Sequence, residues 1–98
     1  MPHAPGTMQD LVPARSAAIE TVVVDAEALL YNAVTEQTAY LNGTAAVVWA
    51  LVDGARSLRD IVALIAEAYP EAADSLTDDV LTTVTSLRDT GALSLAAA

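Results

Sequence analysis

The sequence predicts an α+β fold in which a three-stranded antiparallel sheet is followed by three helices. Three short segments with strand-like composition come first, at residues 19–25, 28–32 and 37–41, and only short turns separate them. Short connections of this kind favour antiparallel neighbours, so the first and third strands form the edges of the sheet. Helical patterns begin only after the third strand, and this order is typical of helices that cover one face of a small sheet.

The first helix is predicted over residues 44–52, directly after the third strand. All of these residues except the first are apolar, and a helix that is apolar on all sides must be buried on all sides. Asn42 is its expected N-cap residue. Asp53 and Gly54 end the helix, with Gly54 in the left-handed C-cap conformation. Trp49, the single tryptophan, is expected to lie in the core as part of the most buried element.

Two amphipathic helices complete the predicted fold. The second helix starts at a capping box formed by Ser57 and Asp60 and ends at Pro70. The third helix starts at a similar box at Ser75 and ends at Gly91. Its core stripe consists of Val80, Val84 and Leu87, and an adjacent half-polar stripe consists of Leu81, Thr85 and Arg88.

The predicted domain organisation is a mobile N-terminal arm, residues 1–14, followed by one domain, residues 15–95. The arm contains three prolines, one glycine and few large apolar residues. It also contains His3, the single histidine, and the chain has no cysteine. We therefore expect neither a metal site nor a cofactor.

Composition disfavours several classes of function. Thirteen acidic residues face four basic ones, all arginine, which gives a net charge of −9. This charge repels the phosphates of nucleic acids and anionic membrane surfaces. No apolar run reaches the roughly 18 residues that span a bilayer, and the N-terminus lacks the pattern of a signal peptide. We expect a cytoplasmic protein without a nucleic-acid or membrane partner.

No group of residues is typical of catalysis. Asp78 and Asp79 are adjacent, so they point to different sides of a helix, and a role at a helix N-terminus accounts for them. No serine has a nearby histidine to act as a base. What remains is a binding surface, and the third strand is a candidate because it is an edge without lysine or proline. The half-polar stripe is a candidate second wall, although the residues alone leave open whether Leu81 faces this groove or the core.

Several segments resemble the PqqD family. The segments that carry the resemblance are Leu30-Tyr31-Asn32, Tyr40 to Trp49, Asp53-Gly54, Ser57 to Ile61 and Asp79 to Leu93. They extend over residues 19 to 95 and include the strand-to-helix junction, the Asp-Gly stop and a Leu-x-x-x-Gly-x-Leu ending. The sequence departs from the family pattern at Gly43, where many members place proline at the first helical position, and this loosens the start of the helix slightly.

The resemblance implies a non-catalytic peptide chaperone, also called a RiPP recognition element, with a fold like a winged helix-turn-helix domain. Such proteins bind the leader segment of a ribosomally made precursor peptide. They present the precursor to a modifying enzyme, often a radical SAM enzyme, a lasso-peptide protease or a cyclase. In this family the leader adds as a strand to the third β-strand, in a groove completed by the third helix. The corresponding residues here are Gln37, Thr38, Ala39 and Tyr40 on the strand, and Asp78, Leu81, Thr82, Thr85 and Arg88 on the helix.

Two other functions remain open from the sequence. One is a winged-helix DNA-binding regulator, which the small number of arginines and the absence of lysine disfavour. The other is a structural subunit that docks on a larger enzyme through an apolar face. The oligomeric state is also open, because an unprotected strand edge can pair with itself.

Overall fold

The computed structural model describes residues 8–25 and 27–97. Its elements in chain order are a 3-10 turn (Met8–Asp10), β1 (Leu11–Arg15), β2 (Ile19–Val24), β3 (Glu27–Asn32), β4 (Thr38–Leu41), α1 (Gly43–Leu51), α2 (Leu58–Ala68), a second 3-10 turn (Pro70–Ala72), α3 (Ala73–Asp89) and β5 (Leu93–Ala97). Strands β2, β3 and β4 form an antiparallel sheet in that order, and the three helices follow. The predicted α+β fold is confirmed.

Pairing in the three-stranded sheet is local and continuous. Strand β2 pairs with β3 from Ile19 opposite Asn32 to Val24 opposite Glu27. Strand β3 pairs with β4 through four residue pairs that end at Ala28 opposite Leu41. Among the described strands, β2 and β4 are therefore the two edges of this sheet, as the short connections predict.

A two-stranded ribbon corrects the prediction for the N-terminal segment. Strand β1 pairs with β5 along its whole length, from Leu11 opposite Ala97 to Arg15 opposite Leu93. The predicted arm therefore does not extend to residue 14, and the folded part continues past residue 95; residues 1–7 lie outside the described part. The prediction failed here because proline is locally typical of a loop, and Pro13 lies within β1. Proline is compatible with an edge strand, and here Pro13 is buried while its carbonyl accepts the N–H of Gly54 at 3.1 Å.

The core lies between the helices and the inner face of the sheet. Its fully buried side chains include Leu30, Val48, Trp49, Leu58, Ile61, Val80 and Val84. Only 1% of Trp49 is exposed, so its predicted place in the core is confirmed. The indole N–H donates a hydrogen bond to Oγ1 of Thr21 at 3.0 Å, which satisfies the one polar group that this side chain buries.

Helix α1 is less completely buried than its composition predicts. It ends at Leu51, and although Val48 and Trp49 are buried, Ala50 is exposed. One side of the helix borders a cleft of about 590 Å³ beneath the β2–β3 hairpin. The prediction of burial on all sides is therefore wrong, because the hairpin does not close down on the last two turns of α1.

The ends of α1 also differ in part from the prediction. Asn42 occupies the N-cap position with an extended backbone, but its side chain makes no capping hydrogen bond. The first helical residue, Gly43, has a φ of +54°. At the other end Val52 is the C-cap residue. Gly54 has the predicted left-handed φ of +77°, two residues beyond that cap.

The two remaining helices confirm most of the predicted pattern. In α2 the capping box is complete, with 3.1 Å hydrogen bonds between Ser57 and Asp60 in both directions. Helix α3 begins at Ala73, so the predicted capping box at Ser75 is wrong; the Ser75 hydroxyl instead donates to the carbonyl of Ala72 at 3.4 Å. The core stripe Val80, Val84 and Leu87 is buried as predicted. The predicted end at Gly91 is also observed, since its N–H donates to the Arg88 carbonyl at 3.0 Å.

Candidate functional site

The free edge of β4 carries backbone groups whose direction follows from the ladder. The N–H of Asn32 donates to the carbonyl of Gln37 at 2.8 Å, and this pair continues the β3–β4 register. Hydrogen-bonded and non-hydrogen-bonded pairs alternate in an antiparallel ladder. Ala39, two residues on, therefore also directs its N–H and C=O towards β3. Thr38 and Tyr40 direct theirs outward, away from the sheet.

The side chains of β4 alternate between the two faces of the sheet. Ala39 is half-buried and packs against the core, and Leu41 is buried. Thr38 and Tyr40 are exposed on the outer face of the sheet. This alternation confirms the prediction that Ala39 and Leu41 share the inner face. Among the predicted strand residues Ala39 is therefore the one directed at the helical side, and its small side chain leaves open space there.

A cleft of about 400 Å³ joins the start of β4 to the end of α3. It is lined by Ile19, Leu30, Asn32, Glu36, Gln37, Thr38, Ala39, Thr90 and Ala92. Three of the four predicted strand residues thus lie at this cleft, whereas Tyr40 does not. The fold therefore brings the free strand edge and the residues after α3 to one depression.

Asn32 also lines this cleft, and the sequence analysis did not predict it as a site residue. It is 8% exposed, and its Oδ1 accepts the N–H groups of Val34 at 2.9 Å and Thr35 at 3.1 Å. These bonds hold the turn that presents β4. A signal was present in the sequence, since Asn32 follows Ala28 and Leu30 on the buried face of a strand, where an unpaired polar side chain is costly. Thr90 and Ala92 gave no comparable signal.

A second, shallower groove runs along α3. It is lined by Leu81, Thr82, Thr85, Ser86 and Asp89 and has a volume of about 430 Å³. Leu81 is half-buried and packs against the core, and it also lines this groove on α3. The groove reaches Asp89, and the next residue, Thr90, lines the cleft beside β4. The two depressions share no lining residue, although each has a lining residue at the C-terminal end of α3.

Two predicted helix residues lie outside both depressions. Asp78 is exposed near the start of α3 and lines neither of them. Arg88 pairs with Asp89, with 3.6 Å between Nη2 and Oδ1, and 48% of the Arg88 side chain is exposed. An exposed ion pair of this kind contributes little to stability. Arg88 also lies in the last turn of α3, where a positive charge complements the helix dipole.

The outer face of the sheet carries a polar contact at Tyr40. A hydrogen bond with the Glu27 carboxylate, with smaller contributions from desolvation and from the Glu27 charge, raises the pKa of Tyr40 above its usual value. The phenol is therefore neutral at physiological pH and can donate a hydrogen bond. Tyr40 thus combines an outward backbone with a side chain tied to the neighbouring strand.

Across residues 8–25 and 27–97, no group of three or more His, Cys, Asp or Glu side chains is arranged to hold a metal ion. No helix there is both long and apolar enough to cross a membrane. His3 lies outside the described residues.

The described fold presents a free strand edge at β4 next to a cleft, which is the geometry of a candidate peptide-binding domain, and comparisons with known proteins assign the chain to a family. The protein-family model described as coenzyme PQQ synthesis protein D (PqqD) matches residues 20–93, and the chain belongs to that family. The fold is similar to a solved structure of TbiB1 in complex with the TbiA(beta) leader peptide, with a TM-score of 0.74 and 20% identity. That similarity covers 82% of this chain and 93% of TbiB1. No curated protein matches the chain.

Proposed function

We propose that this protein is a non-catalytic leader-peptide-binding protein that delivers a ribosomally made precursor to its modifying enzyme. The observation that carries the proposal is the free β4 edge, with the outward backbone groups of Thr38 and Tyr40 beside the cleft at the end of α3. Membership of the PqqD family supports it. The similar fold of TbiB1, a protein solved with a leader peptide bound, supports it further.

In this proposal the leader becomes a fourth strand of the sheet. The outward N–H and C=O groups of Thr38 and Tyr40 supply two donors and two acceptors for the leader backbone. Main-chain hydrogen bonds of this kind give affinity, and pockets for alternate side chains give selectivity. Leader side chains on the inner face enter the cleft, where Ala39 leaves space. Those on the outer face lie beside Tyr40.

Helix α3 provides the second wall. Leu81 contributes an apolar contact, and the hydroxyls of Thr82 and Thr85 are available to polar side chains of the leader. Asp78 and Arg88 lie at the margin of this wall. An acidic leader residue that binds Arg88 has to displace Asp89 from its guanidinium. Gln37, exposed immediately before β4, is the remaining residue of the proposed site.

The partners are a precursor leader and the enzyme that modifies the precursor. Radical SAM enzymes, proteases and cyclases are the classes we consider for that enzyme, and the cytoplasm is the location we propose, since the precursor is made on ribosomes. DNA binding receives no support from the arginines. Arg56, Arg59 and Arg88 are ion-paired within the chain, and Arg15 stacks on Trp49.

The test is direct binding of candidate leaders. Synthetic peptides are made from the N-terminal halves of short open reading frames near the gene, labelled, and titrated with the protein by fluorescence anisotropy. We expect one of them to bind in the micromolar range or tighter, and a scrambled peptide of the same composition not to bind. If none of the neighbouring peptides binds better than its scrambled control, the proposal is wrong.

A further inference from the structure

The opposite edge of the sheet, β2, also has outward-directed backbone groups. The N–H of Ala33 donates to the carbonyl of Ala18 at 2.9 Å, and this pair continues the β2–β3 register. Residues of β2 an even number of positions from Ala18 therefore bond to β3. Ile19, Thr21 and Val23 face outward. The Ile19 N–H donates to the Ser16 carbonyl at 3.1 Å, which leaves the backbone groups of Thr21 and Val23 as the binding elements of this edge.

The same edge exposes three consecutive valines. Val22, Val23 and Val24 are 56%, 67% and 61% exposed. Val22 and Val24 lie on the outer face, whereas Val23 lines the cleft beside α1. Proteins usually protect such edges with lysine, proline or a bulge, and β2 has neither of those residue types and pairs without interruption. A strand edge that is apolar on both faces indicates that another strand covers it.

We infer that β2 of a second copy of this chain covers this edge, in antiparallel pairing about a two-fold axis through Val22. In this register Thr21 of each copy lies opposite Val23 of the other, so the outward groups form four backbone hydrogen bonds. The two Val22 side chains meet on the axis. The result is a six-stranded sheet.

Neighbouring registers are less favourable. A shift that places Val23 opposite Ile19 uses an N–H that already bonds to Ser16. A shift in the other direction places Thr21 opposite Asp25, whose φ of +55° departs from a strand. In the inferred register Glu20 faces Val24 rather than a carboxylate. The two copies of Glu20 are then about 13 Å apart along the strands, beyond the screening length of about 8 Å at physiological salt.

The uncovered side of α1 agrees with this arrangement. The open cleft of about 590 Å³ lies beneath the β2 edge, with Ala46, Val47, Ala50 and Leu51 on its helical wall. Across the two-fold axis, the inner face of the second hairpin continues the roof of this cleft. The second copy therefore covers apolar surface that the single chain leaves open on an otherwise apolar helix.

The inference does not depend on the proposed leader site. The two β4 edges lie at the far ends of the six-stranded sheet, and both stay free. The net charge of −9 on each chain opposes association, so the dimer strengthens as salt screens this repulsion.

The mass of the full chain in solution tests the inference. By sedimentation equilibrium from micromolar to millimolar concentration, we expect a reversible dimer of twice 10.1 kDa, with a lower Kd at about 0.5 M NaCl than at physiological salt. Val23→Pro removes an outward N–H without touching the bonds to β3, and should raise Kd about 100-fold with the circular dichroism unchanged. Thr38→Pro makes the same change on the β4 edge and should leave Kd unaltered. A chain that stays monomeric at every concentration, or a dimer that Val23→Pro does not weaken, overturns the inference.

Cysteine substitution tests the register, against no background because the chain has no cysteine. Val22→Cys places two thiols directly opposite each other on the axis, within the range for a disulfide. Under mild oxidation it should form a covalent dimer. Glu20→Cys on the same outer face should not, since its two copies are too far apart. A wild-type dimer in which Glu20→Cys cross-links and Val22→Cys does not contradicts the inferred pairing.

Discussion

The guanidinium of Arg15 lies 4.6 Å from the centroid of the Trp49 ring and donates a 2.7 Å hydrogen bond to the Trp49 carbonyl. Arg15 is the last residue of β1 and Trp49 belongs to α1, so this contact fastens the β1–β5 ribbon to the central helix. The same carbonyl also accepts the N–H of Val52, the C-cap residue of α1, at 3.2 Å. The Arg15 side chain thus gives that carbonyl a second, charged donor and covers the indole face.

Arg15→Ala should lower the free energy of unfolding by about 2 kcal/mol, since it removes a cation–π contact and a charge-assisted hydrogen bond. Urea unfolding followed by Trp49 fluorescence measures this. Arg59→Ala is the matched control, because the Arg59–Asp10 pair is exposed, and it should cost no more than about 0.5 kcal/mol. Equal effects of the two substitutions would show that the Trp49 contact has no special role. The native emission should also be blue-shifted and protected from quenchers.

Gly43→Ala should cost about 1 kcal/mol, because φ at this position is +54° and alanine rarely adopts that conformation. A Cβ at Gly43 meets nothing within 4 Å, so the cost is purely conformational. Gly43→Pro should cost more, since the ring fixes φ near −65°. Thermal unfolding measures both. A Gly43→Pro variant as stable as the parent would show that the helix can also start in the conformation of relatives with proline here.

Acid should weaken the contribution of Asp53. Its carboxylate accepts the N–H groups of Ala55 and Arg56, both at 2.9 Å. These bonds, that from Arg56 first, lower the pKa of Asp53 below its usual value. A lowered pKa in the folded state gives stability that is present above the unfolded pKa and is lost as pH falls through the folded one. The stability difference between the parent and Asp53→Ala should therefore be constant near neutral pH and shrink below about pH 4. A difference that stays the same under acid would contradict this.

The order of strands and the position of α1 were predictable because both depend on local patterns. Period-two alternation placed Ala39 and Leu41 on the inner face, and the apolar run placed Trp49 in the core. The β1–β5 ribbon was not predictable in this way. It joins Leu11 to Ala97 across nearly the whole chain, and Pro13 is locally typical of a loop.

The candidate site was predictable as an edge but not as a set of contacts. Which residues of β4 turn their backbone outward depends on the bonded pair Asn32–Gln37, and residue type carries no signal of that phase. The start of α3 was misplaced for a related reason. The turn Pro70–Ala72 leads into Ala73 without a side-chain cap, so the capping pattern at Ser75 marked a position inside the helix.

Arg88→Ala should weaken leader binding by no more than about fivefold, roughly 1 kcal/mol, because the guanidinium is half-exposed and already paired with Asp89. Asp89→Asn is the informative companion. If Arg88 has to leave Asp89 in order to bind an acidic leader residue, removal of the Asp89 charge should tighten leader binding by a similar factor. Anisotropy titrations with the leader peptide measure both. Unchanged affinity and stability in Arg88→Ala would remove Arg88 from the site.

A proline scan of β4 should give alternating results. Thr38→Pro and Tyr40→Pro each remove an outward N–H, so both should abolish leader binding and keep most of the stability. Ala39→Pro removes an inward N–H and should cost about 2–3 kcal/mol, because the β3 acceptor loses its partner. Gln37→Pro should also destabilise the fold, since the residue before it has a φ of +61° that proline disfavours.

Two alanine variants separate the backbone effect from the side-chain effect in this scan. Thr38→Ala and Tyr40→Ala keep the outward N–H groups and should retain most of the affinity, whereas the prolines at the same positions should not. Urea unfolding followed by Trp49 fluorescence establishes which variants are folded, and anisotropy with the leader peptide measures binding. A groove that is recognised only through side chains has no reason to distinguish alanine from proline with this two-residue period. If folded Thr38→Pro and Tyr40→Pro bind the leader like the parent, strand addition at β4 is wrong, and the site lies on α3 alone.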